Sequence, residues 1–162
     1  MLKKQTIGTT IHKSVIKNAR IAIIKTDYYI ELNSNLEKAC RKTLVHYGLS
    51  AEHITTFTAP GSWEIPLIAQ TVAKTKKYDA IVAFGVIIKG DTYHFDMIAN
   101  ECTRALMQLS LDYSIPVAIE VLAVNNLKQA QERASQNEQN KGIEGALAAL
   151  KTLQTLHNIK SE

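Results

Sequence analysis

The sequence predicts an α/β domain built on one parallel sheet with helices on both faces. Three observations lead there. Short runs rich in β-branched residues alternate with longer stretches of helical apolar spacing. One of those runs, Ala80 to Ile88, is apolar from end to end and reads as a buried strand. Turn and cap signals at Gly48, Pro60-Gly61-Ser62, Lys89-Gly90-Asp91-Thr92 and Asn125-Asn126 punctuate the alternation. Strands that alternate with helices in this way form right-handed βαβ units, which point all strands the same way.

The elements follow in order. Residues 1–19 hold a β-prone cluster, Thr6, Ile7, Thr9, Thr10 and Ile11, expected as an arm or an extra strand. Arg20 to Lys25 is the first core strand. After the Asp27-Tyr28-Tyr29 loop, Leu36, Cys40, Leu44 and Tyr47 recur at helical spacing, and Gly48 stops that helix from the C′ position. His53 to Ala59 is the second strand. The next helix is expected over Trp63 to Lys76, with Pro66 tolerated because a first turn has no use for its missing N–H. The strand Ala80 to Ile88 runs into a tight turn and a helix carrying Phe95, Ile98, Cys102, Leu106 and Leu109 on one face. Val117 to Val124 is the fourth strand. A short helix capped by Asn125-Asn126 follows, and a polar link, Ser135 to Asn140, leads to a terminal helix striped by Ile143, Ala146, Leu147, Leu150 and Leu153.

Composition narrows the function classes. The chain of 162 residues suits a single domain, with 46% hydrophobic and 21% charged residues. A formal charge of +4 favours acidic or phosphate-bearing partners, but the cations are scattered without a basic block, which argues against nucleic acid. No run approaches membrane-spanning length and the N-terminus has no apolar signal core, so no membrane partner and a cytoplasmic location are expected. Cys40 and Cys102 fall on apolar helix faces without a CxxC or metal-ligand companion and read as buried free thiols.

Three loops should leave the carboxyl ends of strands at one edge: Asp27-Tyr28-Tyr29, Pro60 to Glu64, and Lys89 to His94. Open α/β sheets bind ligands beyond that edge, near a switch point. The turn before His94 precedes a helix start, whose free N–H groups and dipole attract anions. His94 there reads as an acid/base group, since imidazole titrates near neutral pH, or as a surface histidine acting as a local cap. Gly90-Asp91-Thr92 offers backbone N–H groups and a hydroxyl to an anion, or simply caps the helix. Glu64 offers a carboxylate to sugar hydroxyls, or stabilises the start of its own helix. Tyr28 is placed to stack on a planar ring, or is an exposed loop tyrosine. Arg133 and Lys141 lie far along the chain and read as a solvated face, unless a ring of subunits brings them to a neighbour's phosphate.

The segments PGSWEIP (Pro60 to Pro66), GVIIKGDTYHFD (Gly85 to Asp96) and QAQERA with NKG (Gln129 to Gly142) resemble the lumazine synthase family, which catalyses the penultimate step of riboflavin biosynthesis. The likeness runs from about Arg20 to Leu150. It implies a flavodoxin-like three-layer sandwich with a four-stranded parallel sheet, residues 20–158 forming the core and residues 1–19 an arm whose strand is added to a neighbouring subunit. It implies a homopentamer with active sites between subunits, as an isolated ring, a decamer or a sixty-subunit icosahedral shell. The short link between Arg133 and Lys141 and a proline-free arm favour the shell. The implied reaction joins 5-amino-6-(D-ribitylamino)uracil to 3,4-dihydroxy-2-butanone 4-phosphate, giving 6,7-dimethyl-8-ribityllumazine, phosphate and water. Neither metal nor organic cofactor is implied; riboflavin synthase is an implied partner.

By the same resemblance, Tyr28 stacks on the pyrimidine, and Ser62, Trp63 and Glu64 bind that substrate, with Glu64 at its ribityl hydroxyls. Val86, Ile87 and Ile88 give backbone contacts to the uracil edge, Asp91 and Thr92 hold the phosphate, and His94 transfers protons. Ile119, Arg133 and Lys141 come from the adjacent subunit, with Arg133 on the phosphate. Four positions depart from the family's pattern: Tyr28 for the more usual Phe or Trp, Lys89 for Arg, and Ile119-Glu120 where Phe-Gly is frequent. The last pair removes an aromatic wall and puts a carboxylate in the fourth strand. A second reading, from a different class, is a non-catalytic shell protein that binds lumazine or riboflavin.

Overall fold

The computed structural model describes residues 10–162. Four strands, β1 (Ile21–Thr26), β2 (Ile54–Ala59), β3 (Ala80–Ile88) and β4 (Val117–Val124), form one parallel sheet in the order β2-β1-β3-β4. Helices α1 (Lys13–Ile16), α2 (Ile30–His46), α3 (Ile65–Lys74), α4 (His94–Tyr113), α5 (Leu127–Arg133) and α6 (Lys141–Ser161) complete the chain. The α/β fold is that of the flavodoxin-like class.

Alternation along the strands splits the core in two. Ile21, Ile23, Val82, Phe84 and Leu122 face a layer built from α2 and α6, where Leu36, Cys40, Leu44, Ala146 and Leu150 meet them. Ala22, Ile24, Ile81 and Ala83 face the opposite layer, where Ile65, Ala69 and Val72 of α3 and Cys102, Leu106 and Leu109 of α4 pack. Residues 80–84 of β3 are wholly buried because both layers cover them, which is why that strand lacks polar alternation.

Local chemistry sets the ends of the helices. Gly48 adopts φ +107° after α2, a conformation costly to any side chain, and the N–H of Leu49 closes the turn onto Leu44 O. Asn126 and Asn140 cap α5 and α6 by accepting from the N–H groups of Gln129 and Gly142. At Gly142 the start of α6 presses on α2 so closely that a β-carbon would lie 2.0 Å from Leu36 O. Only glycine permits that crossing.

Two expectations change. Helix α3 begins at Ile65 rather than Trp63, so Ser62, Trp63 and Glu64 form the turn ahead of it, with Glu64 at the N-cap position and Pro66 in the first turn. The expected N-terminal strand falls largely on residues outside those described. Thr10 and Ile11 are not in a strand, and Lys13–Ile16 is a short helix whose Ile16 is buried. Four residues are too few to show a helical period.

A polar cluster staples α2 to β1 and β2. Glu37 accepts from Lys25 at 2.7 Å, from Arg41 Nε at 3.0 Å and from the Thr56 hydroxyl at 2.6 Å. Arg41 also donates to Ile54 O and Thr56 Oγ1. Burial is the largest single influence on the Glu37 carboxyl and alone would push it up, but the bonds from Lys25, Thr56 and Arg41 together outweigh it and hold it below the usual glutamate range. A depressed carboxylate contributes stability that is present above its unfolded pKa, about 4.3, and is lost as pH falls through the lower folded value. Urea denaturation should therefore show Glu37→Gln less stable than the parent by about 1–3 kcal/mol near neutrality. The gap should close in acid, below the folded value; a gap independent of pH would count against the ionic cluster.

Candidate active site

Strand order reverses between β1 and β3, since β2 and β4 lie on opposite sides of that pair. The two central strands are of unequal reach. Pairing of β1 with β3 runs from Ile21↔Ala80 to Lys25↔Phe84, whereas β3 continues beside β4 to Ile88↔Val124. By that register Gly85 is level with Thr26, the last residue of β1, so residues 86–88 project past β1 and have no strand beside them on that side. Val86 and Ile87 are buried there and Ile88 is half-buried.

The loops expected at this edge are all present. The β1 loop is joined to the end of β2 by the Asp27 N–H bonding to Ala59 O at 3.1 Å. Tyr28 stands exposed at 69%, and Tyr29 follows it in the left-handed region at φ 51°. Beneath them Asn33 of α2, fully buried, donates from one amide nitrogen to Tyr28 O at 2.7 Å and to Thr26 Oγ1 at 3.0 Å.

Glycines bring the second loop into contact with its surroundings. A β-carbon on Gly61 would lie 3.2 Å from Glu64 Oε2 and 3.7 Å from the Tyr28 ring, so both side chains border that one residue. A β-carbon on Gly85 would lie 2.9 Å from Ser62 Oγ and 3.3 Å from Ile65 Cδ1. The buried Ser62 therefore occupies space that glycine leaves free on β3. Trp63 reaches the third loop, its ring centroid 6.5 Å from that of His94 with the planes tilted at 54°.

His94 is exposed and is the first residue of α4. Asp91 and Thr92 are exposed in the bend before it, and the space around Gly90 is open to 4 Å from its β-position. The three loops and the free edge of β3 are thus gathered at the switch point. Arg133 and Lys141 make their bonds elsewhere: Arg133 donates to Gln129 O at 3.2 Å within α5, and Lys141 pairs with Glu144 at 2.6 Å at the start of α6. Both belong to the segments that follow β4, an outer strand of the sheet.

Ile119 is half-buried and packs with the α3–α4 layer. Glu120 turns to the other face of the sheet, where Gly145 of α6 leaves room for it; a β-carbon there would be 2.9 Å from Glu120 Cγ. The carboxylate in the fourth strand thus lies on the α6 side, away from Ile119's layer. Burial pushes the Cys40 thiol far up and the Cys102 thiol up to about 11, which keeps both protonated and unreactive at neutral pH. Sequence pattern pointed to neither Gly85 nor Asn33, because each matters through a partner distant in the chain.

Open α/β sheets take small molecules where the strand order reverses, and the Trp63 and His94 rings neighbour each other at the loops of that edge, which is the architecture of a small-molecule-binding α/β protein. The profile of the 6,7-dimethyl-8-ribityllumazine synthase family matches residues 18–157, and the chain belongs to that family. Over 120 residues it is 40% identical to the 6,7-dimethyl-8-ribityllumazine synthase of Neisseria meningitidis serogroup C, and 41% identical to that of Neisseria gonorrhoeae. Each match covers 74% of this chain and 76% of the relative.

The contact between Gly85 and Ser62 supplies a test. Gly85→Ala forces Ser62 to move, which should cost about 1–3 kcal/mol by overpacking and slow turnover about ten- to a hundredfold by displacing the loop. Thermal melting and steady-state kinetics check both, and wild-type values in the two would remove Ser62 from the site.

Proposed function

We propose that the chain condenses 5-amino-6-(D-ribitylamino)uracil with 3,4-dihydroxy-2-butanone 4-phosphate to form 6,7-dimethyl-8-ribityllumazine. The observation that supports this reading is the edge of residues 86–88 that extends past β1 at the end of the sheet where the loops carrying Tyr28, Trp63 and His94 emerge. A planar pyrimidine needs peptide donors and acceptors along one edge and an aromatic face above its ring. Val86, Ile87 and Ile88 supply the first and Tyr28 the second. Ser62 and Trp63 close the loop over this substrate, and Glu64 accepts from its ribityl hydroxyls.

The second substrate brings a phosphate. The turn at Asp91 and Thr92 presents N–H groups and a hydroxyl to it, and Arg133 of an adjacent subunit clamps it with its guanidinium. Ile119 and Lys141 complete the wall from that same neighbour. The substrate amine attacks the ketone carbon, water leaves, and an imine forms. Loss of the C3 proton then expels phosphate from C4 and leaves an enol, which takes up a proton and tautomerises to a new ketone at C3. Attack of the ribitylamino nitrogen on that ketone closes the new ring with loss of a second water. Every step moves protons and none moves electrons between partners. Alignment of two reactants and one proton shuttle at His94 meet these demands.

The reading includes an assembly. Leu67 of α3 and Met107 and Leu111 of α4 are exposed apolar side chains on one layer, with Tyr93 and Met97 at its site end. They suit contact with a further copy of the chain. We therefore propose a homopentamer, built up into a sixty-subunit shell, in which residues 20–158 form the core and residues 1–19 an arm that adds a strand to the neighbour's sheet. A cytoplasmic location and association with riboflavin synthase belong to the same proposal; among the described residues no helix is long and apolar enough to cross a membrane.

Steady-state formation of the lumazine, followed by absorbance, tests the reading. Turnover should require both substrates. His94→Ala should slow it roughly ten- to a thousandfold, and Arg133→Ala should raise the KM for the butanone phosphate strongly without loss of fold. Tight lumazine binding without turnover would instead make the chain a binding protein. In analytical ultracentrifugation the shell sediments far beyond a pentamer, and a species of pentamer mass would remove the shell.

A further inference from the structure

The buried Asn33 stands out among the groups that the proposed chemistry leaves unused. It is in the first turns of α2, with no exposed surface, and its Oδ1 is buried without a hydrogen-bond partner among the described residues. Asparagine is a poor helix former, and a leucine of similar size would favour the helix and carry no unpaired oxygen of its own. What asparagine adds is its amide nitrogen, which bonds to Tyr28 O at 2.7 Å and to Thr26 Oγ1 at 3.0 Å. The Thr26 hydroxyl in turn donates to Tyr28 O at 3.4 Å. The peptide between Tyr28 and Tyr29 is thereby held where Tyr29 takes its left-handed turn.

The Tyr28 ring has little packing of its own to hold it. It is 69% exposed, and one edge of it borders Gly61 in the loop after β2. Its position is set from behind, through its backbone.

The geometry points to Asn33 as a positioning residue for the pyrimidine substrate, acting through the Tyr28 carbonyl to fix the stacking ring before the substrate arrives. The inference rests on the proposed reaction and on the stacking role of Tyr28. Preorganisation of this kind lowers the entropy lost on binding. It affects the substrate that stacks and leaves the phosphate substrate alone.

The test compares the wild type, Asn33→Leu, Tyr28→Ala and the double variant, with melting curves recorded alongside kinetics. Asn33→Leu should raise the KM for the ribitylaminouracil about tenfold, with kcat and the KM for the butanone phosphate within about twofold of wild type. In the Tyr28→Ala background the same substitution should add less than about twofold, because the ring it positions is gone. An unchanged pyrimidine KM overturns the inference, as does an equal effect in both backgrounds or a matching rise in both KM values. If Asn33→Leu fails to fold, Asn33→Ser, which keeps a small polar group and removes the amide, carries the same comparison. A wild type without turnover overturns the proposed reaction and this inference together. An active wild type with unaffected Asn33 variants overturns this inference alone.

Discussion

The molecule depends on the unequal lengths of its two central strands. Where β1 and β3 run together, both layers of helices close over them and the sheet is dry. Beyond Lys25 and Phe84 the partnership ends, and β3 carries its peptide groups forward beside β4 alone. Buried peptide groups without partners are costly, so an edge of this kind is stable only if solvent or a ligand supplies the missing bonds. The loops after β1, β2 and β3 surround that edge because parallel strands deliver all their carboxyl ends to one side. Core and site are therefore one construction, and the end of a hydrogen-bond ladder marks the boundary between them.

Small residues fit the loops to this edge. Gly85 admits Ser62, Gly61 lets Tyr28 and Glu64 share one border, and Gly145 receives the aliphatic part of Glu120. In each case one side chain fits where another is missing. Glu120 shows the point well. In the sequence it is an odd carboxylate within an apolar strand, yet the space that accepts it lies on a helix twenty-five positions later in the chain.

Much of this architecture was legible in the sequence. β3 and β4 were expected over the same residues that they occupy, because a buried apolar run bounded by turn residues leaves little freedom in its ends. The cap at Gly48 and the cap before α5 were equally open to reading, since each depends on neighbours in the chain. The start of α3 was placed two residues early because Trp63 fits the apolar period although it belongs to the preceding turn. What the pattern could not supply was register. The overhang of β3, the fit of Ser62 at Gly85 and the amide of Asn33 behind Tyr28 all depend on which residues lie opposite one another, and periodicity carries no information about that.

The two thiols have a practical consequence. Both are buried, and burial keeps their protons on at neutral pH. Alkylating and maleimide reagents attack the thiolate, so the native protein offers them almost no background reaction. A cysteine introduced at an exposed position would take a fluorophore or spin label selectively, with both native cysteines left in place. Loop movements during the reaction could then be followed in a protein whose core had not been altered.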